Sequence, residues 1–399
     1  MSHVSPVVIT GVGLHTGHGA TEATWAALGD GRSALTTNHP WNEGWGEPTR
    51  VGPTSAGFPA APAPDPAPTE FLADRKSIKY MGPCTQMSVL AAGRALRDAG
   101  LLQASAEPER AATALFVATG PIAFDVEQAL QSIGKGGAAA LVALKQEALR
   151  RCHPLLPFKM LLNMPLGLVS ITFGIKGPNA VLYPGPEQGA CALCHAVRGL
   201  RQGRFSRALV GGSGHTLSLA PLLGLQRERR LAASIEEAQP FSPQHLGWAP
   251  ADQAAFLLLE TEAEAARRGR ASYAVLDQAN LLGPGSADHL WRSLAEHAPD
   301  TVFATGTRSA AEMDADRARA TNLWGRAVTM ASADGLIGIA PAASWLVAAA
   351  IACLALRQNV LPTSLLERVP SCAAQRVLVS FHDGQSAAGA VLSRWRGSA

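Results

Sequence analysis

Runs of apolar residues at strand length alternate along the chain with stretches where apolar positions return every three or four residues. The first run, Val7 to Thr10, leads into Gly11, Val12 and Gly13, which predicts a strand entering a glycine-rich turn. A helix carrying Trp25 and Leu28 follows. Pro53 to Pro68 is dense in proline and alanine and predicts a surface loop. Met87 to Leu101 has helical spacing and meets a stop signal at Gly100. Leu115 to Thr119 reads as a strand. In the centre, an apolar helix from Leu161 to Phe173 is closed by Gly174. A strand at Ala180 to Tyr183, a tight turn, a helix from about Glu187 to Gly203 and a buried strand at Ala208 to Gly212 come next. Further strands are predicted at Ala255–Glu260, Ala274–Asp277, Val302–Ala304, Arg376–Ser380 and Ala390–Ser393, with a helix from Ser286, its N-cap, to His297. Such alternation argues for an α/β fold around a largely buried sheet. No short repeat is visible, although both halves favour a strand followed by a glycine turn.

Leu336 to Leu356 carries no charged residue and is long enough to cross a bilayer. It is rich in alanine, contains Pro341 and stands alone, so a buried core helix is expected and no membrane span. Apolar residues make up 47% of the 399 positions and charged residues 16%, enough for a deep core. A formal charge of +3 gives no reason to expect nucleic acid as partner. Arginines do cluster, at Arg198, Arg201, Arg204 and Arg207 and again at Arg227, Arg229 and Arg230. These predict a solvated surface that an acidic carrier protein could use. The N-terminus lacks a basic stretch followed by an apolar run, and the six cysteines have no disulfide spacing, which suits a reducing cytoplasm.

Short motifs add little chemistry. Gly11, Gly13, Gly17 and Gly19 follow a strand but lack dinucleotide-binding spacing, so a structural turn is expected. Cys191, Cys194 and His195 form C-x-x-C-H, the haem-attachment pattern, within an apolar helical stretch that makes buried structural thiols the better reading. No P-loop, G-x-S-x-G or H-E-x-x-H occurs, and neither cofactor nor metal is expected.

Larger segments are more informative. VVITGVGLHTGHGATEATWAALGDGRSAL, NMPLGLVSITFGIKGPN, ALVGGSG, PFSPQHLGWAPADQAAFLLLE and LALRQNVLPTSLLE occur in this order between Val7 and about Leu392. In that order they resemble the β-ketoacyl-acyl-carrier-protein synthases of type II fatty acid and polyketide synthesis. The resemblance implies a thiolase-like fold of two similar α/β halves in five layers, helix, sheet, helix, sheet and helix. The halves are expected at residues 1–245 and 246–399.

The family's catalytic positions fall on unsuitable residues. Its nucleophilic cysteine lies seven residues after the GP-Asn/Ser/Thr motif and nine before a helical histidine, and counting from Asn179 and from His195 both give Pro186. The first histidine, in NAHGT, is replaced in FATGT by Thr305. The lysine and second histidine of K-x-x-x-G-H are replaced in MASADG by Met330 and Gly335. Asp383, in HDGQSA, falls where a gating phenylalanine is expected. Gly306, Thr307, Asp316, Gly338 and Gly384 match scaffold positions. Condensation needs a thiolate, two imidazoles and an oxyanion hole. Proline supplies neither a nucleophile nor an N–H, and the resemblance implies that the nucleophile's own N–H is one hole donor. Losing one such donor costs about 2.7–4 kcal/mol of barrier. Proline is nonetheless well tolerated where a helix opens. Gln188 lies two positions too late to match the glutamine that chain-length factors carry.

The resemblance therefore implies a catalytically empty chain-length factor. It would pair with an active ketosynthase and serve an acyl carrier protein in polyketide or aryl polyene synthesis. Two alternatives stand beside it: a condensing acyltransferase with Cys191 or Cys194 as displaced nucleophile, and a carrier-protein-binding scaffold.

Overall fold

The computed structural model describes residues 5–37, 57–120, 155–183, 185–283, 287–307, 309–325, 328–367, 373–383 and 386–397. Strands and helices alternate through them. The first half runs β1 (Val7–Thr16), β2 (Gly19–Ala20), α1 (Thr21–Gly29), α2 (Pro83–Asp98), β3 (Ala114–Thr119), α3 (Met164–Phe173), β4 (Asn179–Leu182), α4 (Gln188–Arg201), β5 (Arg207–His215), α5 (Leu219–Arg227) and β6 (Asp252–Thr261). The second runs β7 (Ala274–Leu282), α6 (Ala287–Ser293), β8 (Thr301–Ala304), α7 (Ala310–Trp324), β9 (Thr329–Ala331), α8 (Pro341–Gln358), β10 (Arg376–His382) and β11 (Ala387–Arg394). Ser286, the expected N-cap, and Gly384 lie outside the described residues.

The strand order is β4-β3-β5-β6-β1-β7-β11-β10-β8-β9, with β2 beside β1. It contains one pattern twice. β4, β3 and β5 are parallel, and β6 and β1 close the set in antiparallel pairs. β9, β8 and β10 are likewise parallel, closed by β11 and β7. The two sets join where Val7–Ile9 pair antiparallel with Leu276–Ala274. Strand pairing passes from the first set to the second between Thr261 and Ala274, because β6 pairs back into the first set.

Helices α2 and α3 cover the outer face of the first set, and α6 covers that of the second. Helices α4 and α8 lie between the sets and touch both, which gives the five expected layers. From Pro341 on, the uncharged apolar stretch forms α8. Ala342 to Leu356 are all buried, so its lack of charge reflects burial on every side.

Gly11 and Gly13 do not form the expected turn. They lie inside β1, where every residue is buried. A Cβ on Gly13 would stand 2.0 Å from the Ala91 carbonyl oxygen of α2, and one on Gly11 2.4 Å from that of Ala95. The glycines let helix backbone rest directly on strand backbone. Part of the proline-rich stretch also departs from a surface loop. Phe58, Ala60 and Ala61 are buried, and the alanines bridge to Thr36 and Ala251.

The arginine clusters divide as well. Arg207 is buried in an ion pair with Glu264, and Arg201 donates to the Asp277 carbonyl at 2.7 Å. Arg198, Arg204, Arg227 and Arg229 are exposed.

Candidate functional site

Two buried helices bring their N-terminal ends to one cavity of about 260 Å³. Gly185 and Pro186 lie in the turn just before α4, and Pro341 and Ala342 open α8. The approach is close because glycines face α8: a Cβ on Gly212 would lie 2.5 Å from the Ala342 carbonyl oxygen, and one on Gly189 3.2 Å from it. Pro186 precedes the helix, whose first residue is Gln188, so it disturbs no intrahelical bond.

The opposite wall comes from the end of β5 and the segment before β6. His215 and Thr216 line it, with Leu225, Arg230 and Trp248. His215 Nδ1 lies 2.8 Å from Asp252 Oδ1. Arg230 stacks over the Trp248 ring at 4.9 Å and reaches the Glu228 carboxylate at 2.9 Å and that of Asp383 at 3.5 Å. Asp383, buried and accepting from the Ser386 N–H at 3.0 Å, thus touches the cavity through Arg230.

The remaining candidate positions sit behind Trp248, whose Nε1 donates to the Thr307 carbonyl at 2.8 Å. Thr305 is buried and donates to Asp334 Oδ1 at 3.0 Å, and the Gly306 N–H donates to Asp334 Oδ2 at 2.8 Å. Burial pushes the Asp334 carboxyl up to about 7, against the stabilising hydrogen bonds from Gly306 and Thr305. At Gly335 a Cβ would meet Gln239 Oε1 at 2.4 Å and Pro240 Cδ at 2.9 Å. Gln239 Nε2 also donates to the Gly335 carbonyl at 2.8 Å. The space a side chain at 335 would need is filled. Met330 is buried among Trp291, Met313 and Leu378 on the outer side of the second strand set. Pro186 lines the cavity, Asp383 reaches it through Arg230, and Thr305 and Gly335 meet behind it around Asp334. Met330 belongs to a core. Asp316 accepts from Arg319 and lies 2.9 Å from His382 Nε2.

Cys191 and Cys194 lie elsewhere. They line a separate cavity of about 600 Å³ with His195, Arg198 and Arg201. Burial raises both thiols, Cys194 to about 12, which keeps them protonated near neutral pH. His195 stacks on Phe116 with ring centroids 6.4 Å apart, and no group of three or more metal-ligating side chains occurs among the described residues.

Sequence reasoning missed His215, Asp252, Gln239 and Asp334. The one local signal was polar residues at the ends of otherwise apolar strands, at His215 and Asp252.

The chain belongs to the β-ketoacyl synthase family. The family profile described as Beta-ketoacyl synthase, N-terminal domain, matches residues 4–265. The mitochondrial 3-oxoacyl-[acyl-carrier-protein] synthase of Arabidopsis thaliana is 28% identical over 288 residues, covering 68% of this chain and 59% of that protein. The match thus spans about three fifths of the relative's length. The ishigamide ketosynthase/chain length factor superposes with a TM-score of 0.78 at 18% identity, covering 98% of this chain and 99% of the other. A type II polyketide ketosynthase, solved in complex with its acyl-carrier protein, gives a TM-score of 0.80 at 18% identity over 98% and 100%. These structures share the thiolase-like α/β fold expected from the sequence.

Proposed function

We propose that this chain is a non-condensing ketosynthase-like subunit. It pairs with an active β-ketoacyl synthase and shapes that enzyme's acyl tunnel, the chain-length-factor role in type II polyketide or aryl polyene synthesis. The observation that carries this reading is the packing of the degenerate site. Pro186 offers no nucleophile, and Gln239 and Pro240 occupy the space that an imidazole at Gly335 would need. An imidazole at 335 would have to displace both the Gln239 side chain and the Pro240 ring.

The surface supports pairing. Among the described residues β4 bonds only to β3, which leaves its other edge open. Phe158, Met160, Leu161, Leu162, Ile171 and Tyr183, on the segment before α3, on α3 itself and at the end of β4, are all exposed. An open strand edge with exposed apolar side chains is a liability unless another chain covers it. Exposed Arg227 and Arg229, next to the cavity-lining Glu228 and Arg230, suit an acidic carrier protein. A cytoplasmic setting belongs to the same reading.

Co-expression with an intact Cys-His-His ketosynthase tests it. A one-to-one complex by light scattering is expected, with product length changing when residues facing the partner's tunnel are substituted. A stable homodimer that ignores the ketosynthase would overturn the reading, as would condensation by the chain alone that is lost in Cys191→Ala or Cys194→Ala.

A further inference from the structure

The cavity beside Pro186 has lost its nucleophile but not its polar chemistry. His215 is held at Nδ1 by Asp252, at 2.8 Å, and Asp252 Oδ1 also accepts from the Leu217 N–H at 3.5 Å. Both contacts hold the same carboxylate oxygen, and the imidazole side chain keeps 19% of its surface accessible at the cavity wall. With Nδ1 engaged, Nε2 is the ring nitrogen left to exchange a proton. An imidazole oriented by a carboxylate, here the partly buried Asp252, is a standard arrangement for general-base chemistry.

We propose that this cavity is a hydrolytic site for short acyl thioesters, with His215 as the base that activates water and Asp252 as the residue that orients it. The inference goes beyond the partner-subunit reading and rests on it only for the delivery of acyl groups to Pro186. Among the described residues no thiol lines the cavity, and the one hydroxyl there is that of Thr216. Pro186 has no nucleophilic atom, and the Cys84 thiol, bonded to Ser213 behind the wall, is pushed up to about 12 by burial. Water is the nucleophile of the proposed step. His215 Nε2 takes one proton from water while the oxygen bonds to the carbonyl carbon. The C–S bond then breaks, and the departing sulfur takes that proton from the imidazolium. One carboxylic acid and one thiol result, and no oxidant or reductant is needed. The volume, about 260 Å³, falls just below the usual range for ligand pockets and favours a short acyl group over a long chain.

The test uses the chain alone, and its complex with a ketosynthase whose cysteine is replaced by alanine, with acetyl and hexanoyl N-acetylcysteamine thioesters in heavy-oxygen water. Acid is measured by mass spectrometry. Acid release above buffer is expected, with one heavy oxygen per acid and a faster rate for acetyl. His215→Gln should lower it about 100-fold, and Asp252→Asn by a smaller factor. Cys84→Ser should leave it unchanged. The wild-type rate should fall in deuterated water, because a proton moves to the imidazole as water attacks, and this is read even if His215→Gln does not fold. No acid above buffer from folded protein would overturn the proposal. So would an unaltered rate in folded His215→Gln, or an acyl group found on Cys84. Complex formation is read separately, so failure to pair and failure to hydrolyse are distinct results.

Discussion

Asp334 shows how a single side chain can hold a site closed. It bonds to Thr305 and Gly306 on one loop while its own helix turn is held by Gln239. Its folded carboxyl titrates near 7 against an ordinary 3.8, because burial disfavours the charge. The native state therefore holds this proton more tightly than the unfolded chain does. The stability it gives is complete below the unfolded value and is lost as pH rises through about 7. The loss is on the order of 4 kcal/mol at most. Asp334→Asn removes this titration. The melting temperature of the variant, relative to wild type, should rise between about pH 5 and about pH 8, as read by calorimetry. A constant difference across that range would show that Asp334 keeps an ordinary acidity. Pro186 was legible in the sequence as a candidate position, since fixed spacing from Asn179 and His195 locates it, and the structure places it on the cavity wall. Gln239, Asp334 and the His215–Asp252 pair were not, because each acts through a partner far along the chain.

At the scale of elements, apolar runs located the strands but understated their length. β1 was expected to stop at Thr10 and continues to Thr16. Glycine reads locally as a turn residue, whereas Gly11 and Gly13 are there for the helix that crosses them. Gly13→Ala should accordingly separate α2 from β1, because its Cβ would lie 2.0 Å from a backbone oxygen that cannot rotate away. Overpacking of this kind costs about 1–3 kcal/mol. A chemical denaturation midpoint should fall accordingly with an unchanged slope. Gly29→Ala, where nothing lies within 4 Å, is the matched control and should leave the midpoint close to wild type. A Gly13→Ala variant as stable as that control would mean that helix and strand are less closely packed than they stand here. The helices were easier to read: Gly174, at φ 67°, ends α3 where the sequence placed the stop.

For the whole molecule, the doubled strand pattern was legible only through family resemblance. Strand partners come from distant segments, as in the pairing of Val7 with Leu276, and periodicity carries no record of them. Among the described residues the same topology leaves β4 at one end of the strand order with an open edge. On the pairing proposed above, a partner would bury that edge together with exposed apolar side chains such as Ile171, at 75% exposure, and Leu161, at 48%. Substituting either with aspartate should therefore cost the monomer little, within about 0.5 kcal/mol. It should weaken the complex about tenfold or more, because a charge would be desolvated at a paired face. Leu246→Asp, on the segment between α5 and β6 and 64% exposed, should weaken nothing. Equal affinity in all three variants, by calorimetric titration of the ketosynthase, would separate this surface from the partner interface and leave the open edge of β4 to be explained by some other contact.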